Sequence, residues 1–157
     1  MLRDRGIETR LRVAGDGPER ANIEKLIAEL GLRDCVTLLG SQSEDVCIAE
    51  MRAADVFVLS SDAEPLGVVY MEAMSAGVPT VGTAAGGVAE IITDGVDGVL
   101  VPPKSPEALA DALEQLARDP QRREQLGKAG RESIIRNFDA RIGASTLYER
   151  MFGAAPR

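Results

Sequence analysis

Apolar and polar residues fall along this chain in short blocks whose period switches between two residues and three to four. Leu11-Arg12-Val13-Ala14 reads as a short strand. Gly15-Asp16-Gly17-Pro18 then turns the chain, with Pro18 suited to a first helical position. Ile23, Leu26, Ile27 and Leu30 recur at helical spacing, which predicts a helix over 19–30 that Gly31 stops. Cys35 to Leu39 predicts a second strand closed by Gly40, and Ser43-Glu44-Asp45 starts a helix to about Ala53. Val56-Phe57-Val58-Leu59 is an apolar run between polar residues and predicts a buried strand. A helix from about Gly67 to Ala76 follows; Gly77 stops it and Pro79 cannot continue it. Val78 to Gly82 predicts the next strand. Gly86-Gly87 opens a short helix through Ile92, and Val99-Leu100-Val101 is a last strand ended by Pro102-Pro103. Ser105-Pro106-Glu107 is a helix cap with proline at the first helical position. Helices are then expected over 106–118, 120–136 and 139–152, with Leu147, Tyr148, Met151 and Phe152 on one apolar face and a frayed tail from Gly153.

Strand and helix alternate about five times, which predicts an α/β fold: a Rossmann-like, doubly wound parallel sheet with helices on both faces. In such sheets ligands bind beyond the carboxyl ends of the strands. Gly15, Gly40, Ser60 to Glu64 and Gly82 to Gly87 all follow expected strands and should gather on that rim. The expected organisation is a single domain over 1–157, with a core Rossmann-like region over 9–102 and C-terminal helices over 105–152. Met1 to Glu8 is a polar fragment of helix character that leads straight into a strand. Doubly wound domains more often open with a strand, so a first strand is expected upstream.

Composition narrows the function. The 157 residues carry 25 acidic and 18 basic side chains, a net charge of −7, which disfavours a nucleic-acid partner. Arg118, Arg122 and Arg123 read as a solvated helical face. There is no histidine, so Ser-His-Asp and Cys-His nucleophiles and histidine-based zinc sites are excluded. Cys35 and Cys47 have no metal-ligand spacing and read as small buried hydrophobes; no metal site is expected. Without a disulfide framework, signal peptide or long apolar run, a cytoplasmic location is the expectation.

The chemistry concentrates in one stretch. Glu64 and Glu72 stand eight residues apart, separated by Pro65-Leu66-Gly67-Val68-Val69-Tyr70-Met71 at a helix start. Carboxylates accept hydrogen bonds from sugar hydroxyls, and the N–H groups of a helix start bind phosphate. A molecule with hydroxyls on either side of a phosphate group is a nucleotide-sugar. Gly67 to Glu72 spans roughly 7–8 Å at 1.5 Å per residue, a reach compatible with phosphate at one end and ribose at the other. Gly15 and Gly17 suggest a dinucleotide fingerprint, but Arg20 occupies its third glycine position, which argues against an oxidoreductase. Tyr70 reads as packing and Asp16 as a turn residue.

Six ordered blocks carry a family resemblance. They are Val13 to Arg20, Val36 to Gly40, Ala54 to Ser61, Glu64 to Pro79, Gly86 to Ile92 and Asp97 to Pro102. Together they resemble the C-terminal, donor-binding domain of the family 4 retaining glycosyltransferases (group 1), which have the GT-B fold. The resemblance implies that Glu64 is the catalytic-site acid facing the donor sugar. It implies that Leu66, Gly67 and Val68 meet the sugar and diphosphate through their backbone, that Gly86 and Gly87 lie in the sugar-side loop, and that Glu72 binds the ribose. Leu39, Gly40, Ser41 and Gln42 match the loop beside the nucleobase. The implied substrate is a UDP-sugar or GDP-sugar, with no cofactor and no metal.

Enzymes of that family also have an N-terminal acceptor domain, and a Gly-Arg and a Lys that neutralise the diphosphate; neither feature is in these 157 residues. The resemblance therefore implies a donor-binding half, inactive alone, in bacterial-type polysaccharide or glycoconjugate synthesis, whose sugar, lipid-linked or small-molecule acceptor sits on the other half. The parent enzyme would then lie peripherally at the inner membrane face, and an exposed sheet edge would favour self-association. The alternative is a nucleotide-sugar-binding subunit that completes an active site with a partner chain.

Overall fold

A computed structural model describes residues 1–139. The expected helix over 139–152, its apolar cluster and the tail lie outside the described residues. The chain divides into two compact units, Met1–Glu50 and the portion from Met51 onward.

In the first unit a single 3-10 turn, Arg3–Arg5, precedes β1 (Leu11–Ala14), α1 (Arg20–Glu29) and β2 (Val36–Gly40). β1 and β2 are parallel, in register from Leu11 opposite Val36 to Val13 opposite Leu38. A helical crossover is what joining parallel strands requires. The register slips at Ala14, and the Gly15 N–H closes the ladder on the Gly40 carbonyl at 2.8 Å. Pro18 does not start α1. The Asp16 carboxylate accepts from the Gly17 N–H at 2.8 Å and the Gly17 carbonyl from Arg20, so the turn persists two residues longer and Glu19 becomes the cap. Cys35 and Cys47 are half-buried rather than buried, because this unit has almost no interior: Gly40 is the only buried residue between positions 1 and 50.

The helix α2 (Glu44–Ala53) runs across the division, and the second unit continues with β3 (Phe57–Leu59), α3 (Val68–Ser75), β4 (Thr80–Thr83), α4 (Val88–Ile91) and β5 (Val99–Val101). β3, β4 and β5 form a parallel sheet with β4 in the middle. β4 begins two residues later than its apolar pattern suggests. The closing turn of α3 takes Gly77 and Val78, whose N–H groups reach back to Met74 and Ala73. α5 (Pro106–Arg118) follows with the expected boundaries, and α6 (Pro120–Asn137) ends one residue later than expected. The Ser105 hydroxyl accepts from the Ala108 N–H, and the Asp119 carboxylate from Arg122, each with proline at the first helical position.

This unit has two apolar clusters. Tyr70, Met74, Val88, Ile91, Ile92 and Ile134 form one; Val81, Val101, Ala112, Leu116 and Leu126 form the other. Helix α6 comes close enough to the loop after α3 that a Cβ on Gly127 would lie 2.2 Å from the Gly77 carbonyl oxygen. Arg122 and Arg123 are not merely solvated. Arg122 donates to the Gly95 carbonyl and Arg123 to that of Leu116, both at 2.6 Å, so each cation ties two segments together.

Candidate functional site

Three chain segments meet at the carboxyl end of β3 and β4. The loop 60–67 leaves β3, α3 leaves that loop, and the loop 84–87 leaves β4. Each junction depends on small residues. Gly67 caps α3 with a left-handed backbone, φ 76° and ψ 40°. A Cβ there would also lie 2.8 Å from the Tyr70 ring, so the position excludes side chains twice over. Gly86, also left-handed, would place a Cβ 2.2 Å from the Glu64 carbonyl oxygen, and Gly87 one 2.7 Å from that of Pro65. The Gly87 N–H donates to the Glu64 carbonyl at 2.9 Å. Gly86 and Gly87 thus lie directly against the backbone that carries Glu64, an intimacy the sequence left open.

Glu64 is half-buried, and its Oε1 accepts from the Gly67 N–H at 3.0 Å. A carboxylate is favoured there because the first N–H groups of a helix lack internal partners and sit at its positive end. The N–H expected to face phosphate is thus taken by the acid expected to face the sugar. No capping pattern announces this bond: in a capping box the acid stands three residues after the cap, whereas Glu64 stands three before Gly67. Leu66 and Val68 are exposed on either side of Gly67. Glu72 is exposed on α3, five residues after Gly67, where a ligand can reach it.

Two residues outside the expected set hold this rim. Tyr70 is fully buried, packs edge-to-face on Phe57 at 6.0 Å between ring centroids, and donates its hydroxyl proton to the Leu59 carbonyl at 2.8 Å. Burial, and after it the charge of Glu64, raises its phenol above the ordinary value of 10.0, while hydrogen bonds with Thr83 act the other way. The Thr83 hydroxyl also donates to the Ser61 carbonyl, fastening β4 to the loop that leads to Glu64. Further along that loop Asp62 faces Lys104 at 3.7 Å, both exposed.

Leu39, Gly40, Ser41 and Gln42 belong to the first unit. Gly40 is left-handed and buried, while the Gln42 amide donates to the Leu39 carbonyl at 2.6 Å and closes the loop on itself. A hollow of about 270 Å³ lies nearby, lined by Gly15, Asp16, Glu19, Arg20 and Leu38. In the second unit a hollow of about 380 Å³ lies beside β5 and α5, near Asp94, Asp111 and Arg122. Neither hollow is lined by Glu64 or Glu72. Among the described residues no three acids or cysteines are grouped to hold a metal ion, and no helix is long and apolar enough to cross a membrane.

Comparison with known proteins decides the lineage. The family described as glycosyl transferases group 1 matches residues 1–133. The chain belongs to this family. It is 39% identical over 127 residues to the alpha-D-kanosaminyltransferase of Streptomyces kanamyceticus, across 81% of this chain and 33% of that protein. This chain spans about a third of the length of such curated relatives. Among solved structures, Anabaena HepE in complex with UDP is similar over 91% of this chain and 40% of its own, with a TM-score of 0.82 and 28% identity. The C-terminal domain of the group 1 protein LpcC from Francisella tularensis is similar over 88% of this chain and 74% of its own, with a TM-score of 0.78 and 26% identity. The group 1 chain is thus an α/β glycosyltransferase domain of the GT-B type, and its family activity is sugar transfer.

Proposed function

We propose that this chain is the donor-binding part of a retaining, family 4 type glycosyltransferase, and that its donor is a UDP-sugar or GDP-sugar. The observation that carries the reading is the start of α3: a glycine-capped helix N-terminus with one acid before it and one exposed acid five residues into it. The HepE complexes with UDP and with UDP-glucose support it by likeness of fold and sequence. In this reading the amides around Leu66, Gly67 and Val68 take the diphosphate. Glu64 takes sugar hydroxyls near the reacting carbon, and Glu72 takes the ribose hydroxyls. Gly86 and Gly87 shape the sugar side. The amides act where charge develops on the leaving diphosphate, so they stabilise the transition state as well as the ground state. No cofactor and no metal enters.

The test is a titration of the chain with UDP, GDP, UDP-glucose and GDP-mannose, followed by amide NMR shifts. Resonances around α3 are expected to move, and Glu72→Ala to weaken binding about tenfold through loss of charge-assisted bonds to the ribose. Unchanged affinity in Glu72→Ala rejects the assignment. The same reading gives acceptor binding to polypeptide beyond the matched third of the relatives. Sugar transfer by these 157 residues alone should then stay at background, and robust transfer would overturn that division of labour.

A further inference from the structure

We propose that Glu64 sorts sugar-bearing nucleotide from bare nucleoside diphosphate by competing with the diphosphate for the start of α3. The inference rests on the donor-site reading above and adds a role for the acid when no sugar is present. The Glu64 carboxylate occupies the Gly67 N–H at 3.0 Å, the amide an incoming phosphate oxygen would use. The direction of that N–H is set by the left-handed cap, which is crowded by Tyr70, by Ile91 and by Glu64 itself. The Glu64 backbone is pinned as well, because its carbonyl accepts from Gly87 and Gly86 packs against it. Release of the cap therefore needs only rotation of the Glu64 side chain between staggered rotamers.

Charge decides what each ligand gains. A bare diphosphate arriving at Gly67 and Val68 must break an existing charge-assisted bond and lie beside a displaced carboxylate of its own sign. It has no donor to offer in return. A diphosphate carrying a sugar brings hydroxyls, and an ionised carboxylate, which only accepts, can exchange the Gly67 N–H for them. Glu64 then remains satisfied while the amide passes to phosphate. The acid thus penalises the nucleotide left after transfer more than the donor before it, which favours product departure.

The experiment compares Glu64→Gln, Glu64→Ala and Glu72→Ala with the unmodified chain. UDP, GDP, UDP-glucose and GDP-mannose are titrated at up to millimolar concentration, and exchange of the Gly67 amide is read by NMR. Both Glu64 variants should bind UDP or GDP roughly three- to tenfold tighter than the unmodified chain and lose its preference for the sugar-bearing form. The Gly67 amide should exchange faster in Glu64→Ala. Glu64→Gln keeps shape and an acceptor without charge, so it carries the test if the alanine variant unfolds. If both Glu64 variants bind bare nucleotide no tighter while Glu72→Ala weakens it, the sorting role falls and the donor site stands. If Glu72→Ala changes nothing, or no nucleotide binds, the donor-site reading falls and takes the sorting role with it.

Discussion

The two units are built from the same strand-helix-strand grammar, and they differ in what that grammar encloses. From Met51 onward the helices bury their apolar faces: Tyr70, Met74, Val81, Val88, Ile92 and Leu126 are essentially sealed. In residues 1–50 the amphipathic helix α1 has no buried residue, and Ile23, Leu26 and Leu30 are all exposed. Most glycines record the same contrast, Gly77 and Gly95 of the second unit excepted. Cβ atoms built on Gly6, Gly15 and Gly17 would meet nothing within 4 Å, whereas those on Gly82, Gly86, Gly87, Gly98 and Gly127 would collide at 2.2–2.8 Å. The first unit is held by its backbone ladder and by exposed ties. Arg3 reaches the Gly31 carbonyl at 2.8 Å, and Arg12 forks onto Glu50, holding that carboxyl below its ordinary range. An amphipathic pattern states which face seeks cover; it does not supply the layer that covers it.

The largest effect should come from removing the centre of the second unit. Tyr70→Ala deletes a fully buried ring, its edge contact with Phe57 and the donor to Leu59, at a cost of about 4 kcal/mol. Hydrogen exchange should then show the amides of β3, β4 and β5 losing their protection together. In the unmodified chain those amides should exchange only through global opening, and those of β1 and β2 through local opening. Equal protection of the two sheets in the unmodified chain would erase the contrast between the units.

A smaller effect isolates the phenol. Burial and the Glu64 charge raise the pKa of Tyr70 above 10.0, so the folded state keeps the proton longer than the unfolded chain does. The associated stability is fully present below the unfolded value of about 10 and is lost as pH rises through the folded value. The fraction of this loss that belongs to Tyr70 should vanish in Tyr70→Phe. That variant should also be destabilised by about 1–2 kcal/mol at neutral pH, because the Leu59 carbonyl loses its donor. Identical alkaline unfolding curves for the two proteins would show that the ring hydroxyl titrates as freely as in water.

Legibility in the sequence follows the same divide between local and non-local causes. A helix start with its own cap was readable to the residue: Ser105 with Pro106 brings an acceptor and a fixed φ. The strand cores at Val13, Leu38, Val58, Val81 and Leu100 were readable because an apolar run between polar turns has few other fates. The start of α1 was not, since the Asp16 turn outlasts Pro18. At the candidate site the two acids and the helix between them were legible, whereas the ties that shape it were not. Thr83 to Ser61 and Gly86 under Glu64 join residues about 22 positions apart, and no period or spacing encodes such a meeting. The half-buried cysteines show the converse, a residue type that promises an interior in a unit that has almost none.

The smallest expected change in stability is also the one that bears most directly on the open face of the first unit. Leu26 and Leu30 are 52% and 57% exposed, so a combined Leu26→Lys, Leu30→Lys variant removes little buried area. Its unfolding free energy should shift by less than about 0.5 kcal/mol. Its association should change more. Among the described residues β1 pairs with β2 alone, and a two-stranded sheet together with the exposed apolar residues of α1 invites a second molecule. Sedimentation across a concentration series should show self-association in the unmodified chain and a monomer in the variant, since two added cations per copy repel across any pairing of α1 with itself. A loss of several kcal/mol in the variant would mean that these leucines are covered in solution, and the contrast between a sealed unit and an open one would have to be withdrawn.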